Sequence, residues 1–210
     1  MLPVGDDNSS RRSFPFMTYI LIGINLVFFY LEISRGTSFI ERWAFIPNRF
    51  SDNPVGNFTT IFTAMFMHAG GFHLFSNMLY LWIFGDNVEG RFGHLGYLFF
   101  YLLSGVAATL AFLVLSPGSE VPLLGASGAI AGVLAAYFLL FPKRNVKVLM
   151  GLWLIPMPAW LVIGIWFVLQ LFSGVASIDS MAQTGGIAYV AHIGGFVAGF
   201  LLTFIFRKKE

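Results

Sequence analysis

Six stretches of this chain are nearly free of charge and rich in Leu, Ile, Val, Phe and Ala, each set off by polar or Gly/Pro-containing sequence. They run from Phe14 to Leu31 and then near 72–86, 94–115, 127–141, 157–173 and 187–206. A helix crossing a bilayer core needs about 20 residues, so the pattern predicts six transmembrane helices. The second and fourth runs are short. Either they extend into the less hydrophobic segments 58–71 and 121–126, or they begin beneath the membrane surface, after irregular backbone buried in protein or facing a water-filled cavity. Residues 146–156 are also apolar but stop at Ile155-Pro156-Met157-Pro158, where two prolines mark a break. This segment is expected to lie along the interface before the fifth span. The first run competes with a signal peptide. No small-residue cleavage site follows it, and Glu32, Ile33, Ser34 and Arg35 come next, so it reads as a retained span.

Composition agrees with the pattern. Hydrophobic residues fill 57% of the 210 positions and charged residues only 10%, against roughly 25% charged in soluble domains. The absence of cysteine excludes disulfides, thiolate metal sites and cysteine nucleophiles. The net charge of +2 arises from short basic clusters between apolar runs, a distribution that suits membrane orientation and not nucleic-acid binding. With the N-terminus in the cytoplasm, the inner segments hold Arg11, Arg12, Arg91, Lys143, Arg144, Lys147, Arg207, Lys208 and Lys209, nine of the twelve basic residues. Arg35, Arg42 and Arg49 fall in the first outer loop. The positive-inside rule thus favours six spans with both termini cytoplasmic. The expected fold is an all-α membrane protein, a six-transmembrane-helix bundle. A short polar N-terminus (1–13) precedes one domain (14–206), and a basic tail (207–210) follows.

Polar side chains within spans are functional candidates, because hydrocarbon offers them no partner. Ser127 lies in Gly125-Ala126-Ser127-Gly128 at the predicted start of the fourth helix. Free N–H groups in a first helical turn favour a developing oxyanion, and flanking glycines leave room for a substrate backbone. An ordinary helix cap is the competing role for such a serine. His192 sits about five residues into the last span, and a neutral imidazole can accept a serine proton. Ala191, Gly195 and Gly199 form a small-residue stripe around it, and Gly128, Gly132, Ala135 and Ala136 form another on the fourth helix. Such stripes let membrane helices approach closely, which would bring His192 to Ser127. His73 and Asn77 are four apart and share a helical face. Both can donate hydrogen bonds to an oxyanion, together with the Ser127 N–H. Zinc is disfavoured: His68 and His73 are five apart, and no His-Glu-x-x-His occurs. Asp86 at the inner boundary and Asp179 in an outer loop leave no intramembrane aspartate pair.

With these residues in view, the chain resembles the rhomboid intramembrane serine proteases of bacterial type from about residue 58 to 200. The likeness rests on ordered motifs. They are Met67-His68, His73-x-x-x-Asn77, Phe84-Gly85, Glu89-x-x-x-Gly93, Gly125-Ala126-Ser127-Gly128 and Ala191-His192-x-x-Gly195-x-x-x-Gly199. The resemblance implies a Ser127–His192 dyad without a third acid, and His73 and Asn77 at the oxyanion hole. It further implies a water-filled cavity open to the outer face and no cofactor. The fifth span would act beside the second as a lateral gate, and Glu89-x-x-x-Gly93 would tie the inner loop. Substrates would be transmembrane proteins, cut in or near a membrane helix of a bacterial inner membrane. Two positions differ from the usual pattern. Asn57-Phe58 stands where many members carry Trp-Arg, and Ala131 stands where an aromatic ring often packs on the histidine. The ring of His192 is therefore held either less firmly or by another side chain. An inactive rhomboid-like protein that binds membrane clients would lack the serine or the histidine, and a small transporter would carry charged residues within its spans.

Overall fold

The computed structural model describes residues 2–7, 9, 13–176 and 187–207. Arg11, Arg12, Lys208 and Lys209 of the basic clusters, and Asp179 of the last outer loop, lie outside the described residues. Among the described residues, six helices of at least 14 residues occupy the predicted runs: α1 (Phe16–Arg35), α2 (Gly71–Phe92), α3 (His94–Leu115), α4 (Ser127–Leu140), α5 (Ala159–Ala176) and α6 (Ile187–Phe206). Of these, α1, α3 and α6 are long and apolar enough to cross a membrane. Large apolar side chains are exposed on their outer faces, among them Ile33, Leu103, Val114 and Ile205. An apolar exterior of this kind suits lipid and would be a liability in water.

α4 is the axis of the bundle. Every residue from Gly128 to Tyr137 is buried, as expected of a helix that is apolar all round. α2, α3, α5 and α6 all pack against it. The contact with α6 is the tightest. A Cβ added at Gly195 would lie 2.0 Å from the Gly128 carbonyl oxygen, and one at Gly199 would lie 2.3 Å from the Gly132 Cα. The two small-residue stripes therefore meet backbone to backbone. Because lipid tails give helices little hydrophobic reason to associate, such van der Waals contact carries much of the packing.

Two expectations need correction. The second helix is not the short run 72–86 but continues to Phe92, because Asp86, Asn87 and Glu89 are buried within the protein. Gly93, at φ 76°, then reverses the chain into α3 through a single residue. Nor is the fold purely helical. β1 (Leu2–Asp6), β2 (Asn145–Met150) and β3 (Trp153–Pro158) form an antiparallel sheet in the order β1-β2-β3. The segment read as interfacial is the β2–β3 hairpin, which pairs Met150 with Trp153 around Gly151-Leu152. Two-residue loops with glycine first are a common hairpin solution. Val146 and Val148 point inward while Asn145 and Lys147 point out, a strand's alternation. The short polar N-terminus supplies the edge strand, where Pro3 costs little.

Between α1 and α2, short helices fold the first loop against the bundle. Phe45 and Leu123 exchange two backbone hydrogen bonds, and the Gly125 N–H donates to the Ala64 carbonyl at 2.9 Å. The loop thereby fixes the strand-like segment that leads into α4.

Candidate active site

Ser127 is the first residue of α4. Ala126 occupies the cap position, and no side chain caps this helix. The competing role of Ser127 as an ordinary cap is thus not the one it takes. Its hydroxyl instead lies 2.6 Å from Nε2 of His192 on α6. The Gly128–Gly195 contact is what allows this, since it brings the two helix backbones together one residue beyond the serine and three beyond the histidine. Gly125, at φ 135°, turns the chain into α4 in a conformation that side-chain-bearing residues rarely adopt. A Cβ there would sit 2.9 Å from His73 Cε1, 3.0 Å from His73 Nε2 and 3.5 Å from Ser127 Oγ. The imidazole of His73 is therefore brought beside the serine by the absence of a side chain at 125.

All four predicted residues, Ser127, His192, His73 and Asn77, line one cavity of about 310 Å³. His73 Nδ1 accepts a bond from the Ala69 N–H at 3.4 Å, which leaves the proton of a neutral ring on Nε2, the side facing Gly125. Asn77 is buried, and its Nδ2 has no hydrogen-bond partner among the described residues. An unpaired buried donor costs roughly 1–3 kcal/mol, so this is a position where a ligand oxygen would be welcome. The arrangement can do nucleophilic chemistry: a hydroxyl on a base, a free amide donor and the open N–H groups of a first helical turn share one space.

Sequence reasoning did not single out Gln170, Trp166 or Tyr189. Gln170 on α5 faces the far side of the same imidazole, with Oε1 2.8 Å from His192 Nδ1. Trp166, one turn earlier on α5, has its ring 6.0 Å from that of His192, and Tyr189 stands edge-on at 6.5 Å. The histidine is thus held by other side chains, which settles the alternative left open by Ala131. The signal was present: Gln170 is the one polar residue between Ala159 and Phe172. Polar residues at such positions warrant suspicion even when uncharged.

The fold and site together define a multi-pass helical membrane protein with a serine–histidine pair in a cavity between its helices. A family model described as the Rhomboid domain matches residues 55–209, and the chain belongs to the rhomboid family. It is 34% identical over 186 residues to the rhomboid protease GluP of Bacillus subtilis, covering 88% of this chain and 34% of that protein. It is 28% identical over 199 residues to the mitochondrial rhomboid protein 1 of Saccharomyces cerevisiae, covering 91% of this chain and 54% of that protein. It is 29% identical over 153 residues to the chloroplastic rhomboid-like protein 11 of Arabidopsis thaliana, covering 70% and 51%. The chain thus spans a third to a half of the length of these relatives.

Proposed function

We propose that this protein is an intramembrane serine endopeptidase that cuts transmembrane segments of other membrane proteins. The observation that carries the reading is the 2.6 Å contact between Ser127 Oγ and His192 Nε2, open to the cavity that Asn77 and His73 also line. In the proposed reaction His192 Nε2 takes the hydroxyl proton while Ser127 Oγ bonds to the scissile carbonyl carbon. The negative charge on the carbonyl oxygen is met by the Asn77 amide, the His73 Nε2–H and the backbone N–H of Ser127. His192 then gives its proton to the leaving amine, the C–N bond breaks, and an acyl-enzyme remains. Water, deprotonated by His192, releases the second product. No cofactor enters this scheme.

The proposed setting is a bacterial inner membrane, crossed six times by residues 14–206 with both termini in the cytoplasm. The nine basic residues of the inner segments support that orientation. The similarity to a Bacillus subtilis protein that is itself named a protease supports the activity.

The test is cleavage of a labelled single-span substrate by purified protein in liposomes. The parent is expected to cut it. Ser127→Ala and His192→Ala are each expected to lower the rate at least about a thousandfold. Undiminished cleavage by both variants would refute the mechanism.

A further inference from the structure

Gln170 gives the site a third member. A neutral imidazole carries one proton on two nitrogens, and only the form with the proton on Nδ1 leaves an Nε2 lone pair for the serine hydroxyl. Something must accept the Nδ1–H bond if that form is to prevail. Among the described residues, Gln170 Oε1 at 2.8 Å is the group in that position. The amide is neutral and takes no proton, so it cannot relay charge. Its carbonyl dipole favours the productive tautomer, fixes the ring plane and meets the positive charge that appears on the imidazolium once the serine proton has moved. Trp166, on the same face of α5 one turn away, confines the ring from the side.

We propose that Gln170 is the positioning residue of the proposed Ser127–His192 pair, setting the tautomer and orientation of the base from α5. This rests on the reading given under Proposed function. It also makes the base dependent on where α5 stands relative to α6, since the acceptor is on one helix and the imidazole on the other.

The experiment compares the parent with Gln170→Leu, which keeps the volume and removes the acceptor, and Gln170→Glu, which keeps an acceptor and adds charge. Steady-state cleavage of a fluorogenic transmembrane substrate is followed from pH 5.5 to 8.5, with thermal unfolding as a control. The Leu variant is expected to fold, to keep KM within about twofold and to lose about tenfold to a hundredfold in kcat, as removal of a group that orients an imidazole typically does. The Glu variant is expected to retain most activity, with the acid limb of its pH profile moved to higher pH. Among the described residues, His73 and Tyr80 on α2 and Tyr189 on α6 itself are the other titratable groups facing this ring or its cavity, and all three are unchanged in the comparison.

A Leu variant within twofold of the parent at every pH would overturn the proposal, as would a Glu variant as impaired as Leu. If the Leu variant fails to fold, the Glu profile decides: an unmoved acid limb overturns it. Activity surviving in Ser127→Ala would instead remove the underlying reading, a separate and distinguishable result.

Discussion

The two ends of α2 bury polar groups in opposite ways. At its C-terminal end, Glu89 is fully buried and its carboxylate is saturated. It accepts from the backbone N–H groups of Met17 and Thr18 at 2.9 and 2.8 Å and from the Thr18 hydroxyl at 2.7 Å, and it meets His94 Nδ1 at 2.5 Å. It thereby closes the free N-terminus of α1, where a carboxylate is best placed. Beside it, Asp6 of β1 accepts from Asn87 at 2.8 Å and from the Tyr137 hydroxyl at 2.6 Å, while Arg144 bonds Asn87 and the Asp7 carbonyl. At its N-terminal end, Asn77 has a donor with no partner among the described residues, and His73 faces a cavity. Polar groups that satisfy one another hold a structure together. Polar groups with spare capacity, kept around an open space, are available for chemistry.

The change expected to act most severely disturbs the helix pair that carries Ser127 and His192. Gly195→Ala would set a methyl 2.0 Å from the Gly128 carbonyl oxygen. Backbone cannot yield as a side chain can, so α4 and α6 must part. The expected result is a loss of about 3 kcal/mol or more of stability together with loss of cleavage. Thermal unfolding and a cleavage assay on the same preparation check it.

Asn77→Ala and Glu89→Gln sharpen the contrast directly. The first is expected to lower kcat by about a hundredfold to a thousandfold, the usual result of removing one oxyanion donor, with unfolding unchanged. The second is expected to cost about 3 kcal/mol of stability, because an amide presents its own donors to groups that already donate, while activity per folded molecule persists. A stability loss in Asn77→Ala as large as that in Glu89→Gln would erase the distinction between the two ends.

The smallest expected effect concerns pH. Burial raises the Asp6 carboxyl from 3.8 to about 6, the Tyr137 hydrogen bond opposes this, and nearby Asp86 adds to the rise. The docked strand therefore holds a proton more tightly than an undocked one. Docking of β1 gains as pH falls from 7 through 6, is complete near 4, and loses that gain as pH rises again. Hydrogen exchange at the β1 amides, corrected for intrinsic rates, is expected to slow over that interval in the parent. In Asp6→Asn it is expected to stay level.

What the sequence disclosed follows from the range of each interaction. Apolar runs are local, so the six long helices were legible, and α3 and α6 begin and end where the pattern predicts. Ser127, His192, His73 and Asn77 were legible because a polar residue in an apolar run stands out. The spacing of Gly128, Gly132, Gly195 and Gly199 foretold the helix contact, since small-residue stripes speak for close approach whatever lies between them. β1 was not legible: five residues have no period to read, and their partner strand lies some 140 positions away. The extension of α2 was hidden for a related reason. Asp86, Asn87 and Glu89 look like a membrane boundary until Thr18, Asp6 and Arg144, distant in sequence, are seen to enclose them. Gln170 was passed over because it is neutral, although its isolation within α5 marked it.

The central claim is that the Ser127 hydroxyl is activated by His192 and by no other group. Labelling with a fluorophosphonate, followed by mass spectrometry of the adducted peptide, tests it most directly. The account predicts a single adduct on Ser127 in the parent and next to none in His192→Ala at equal folded concentration. Labelling of His192→Ala at the parental rate, or an adduct on a different serine, would contradict it.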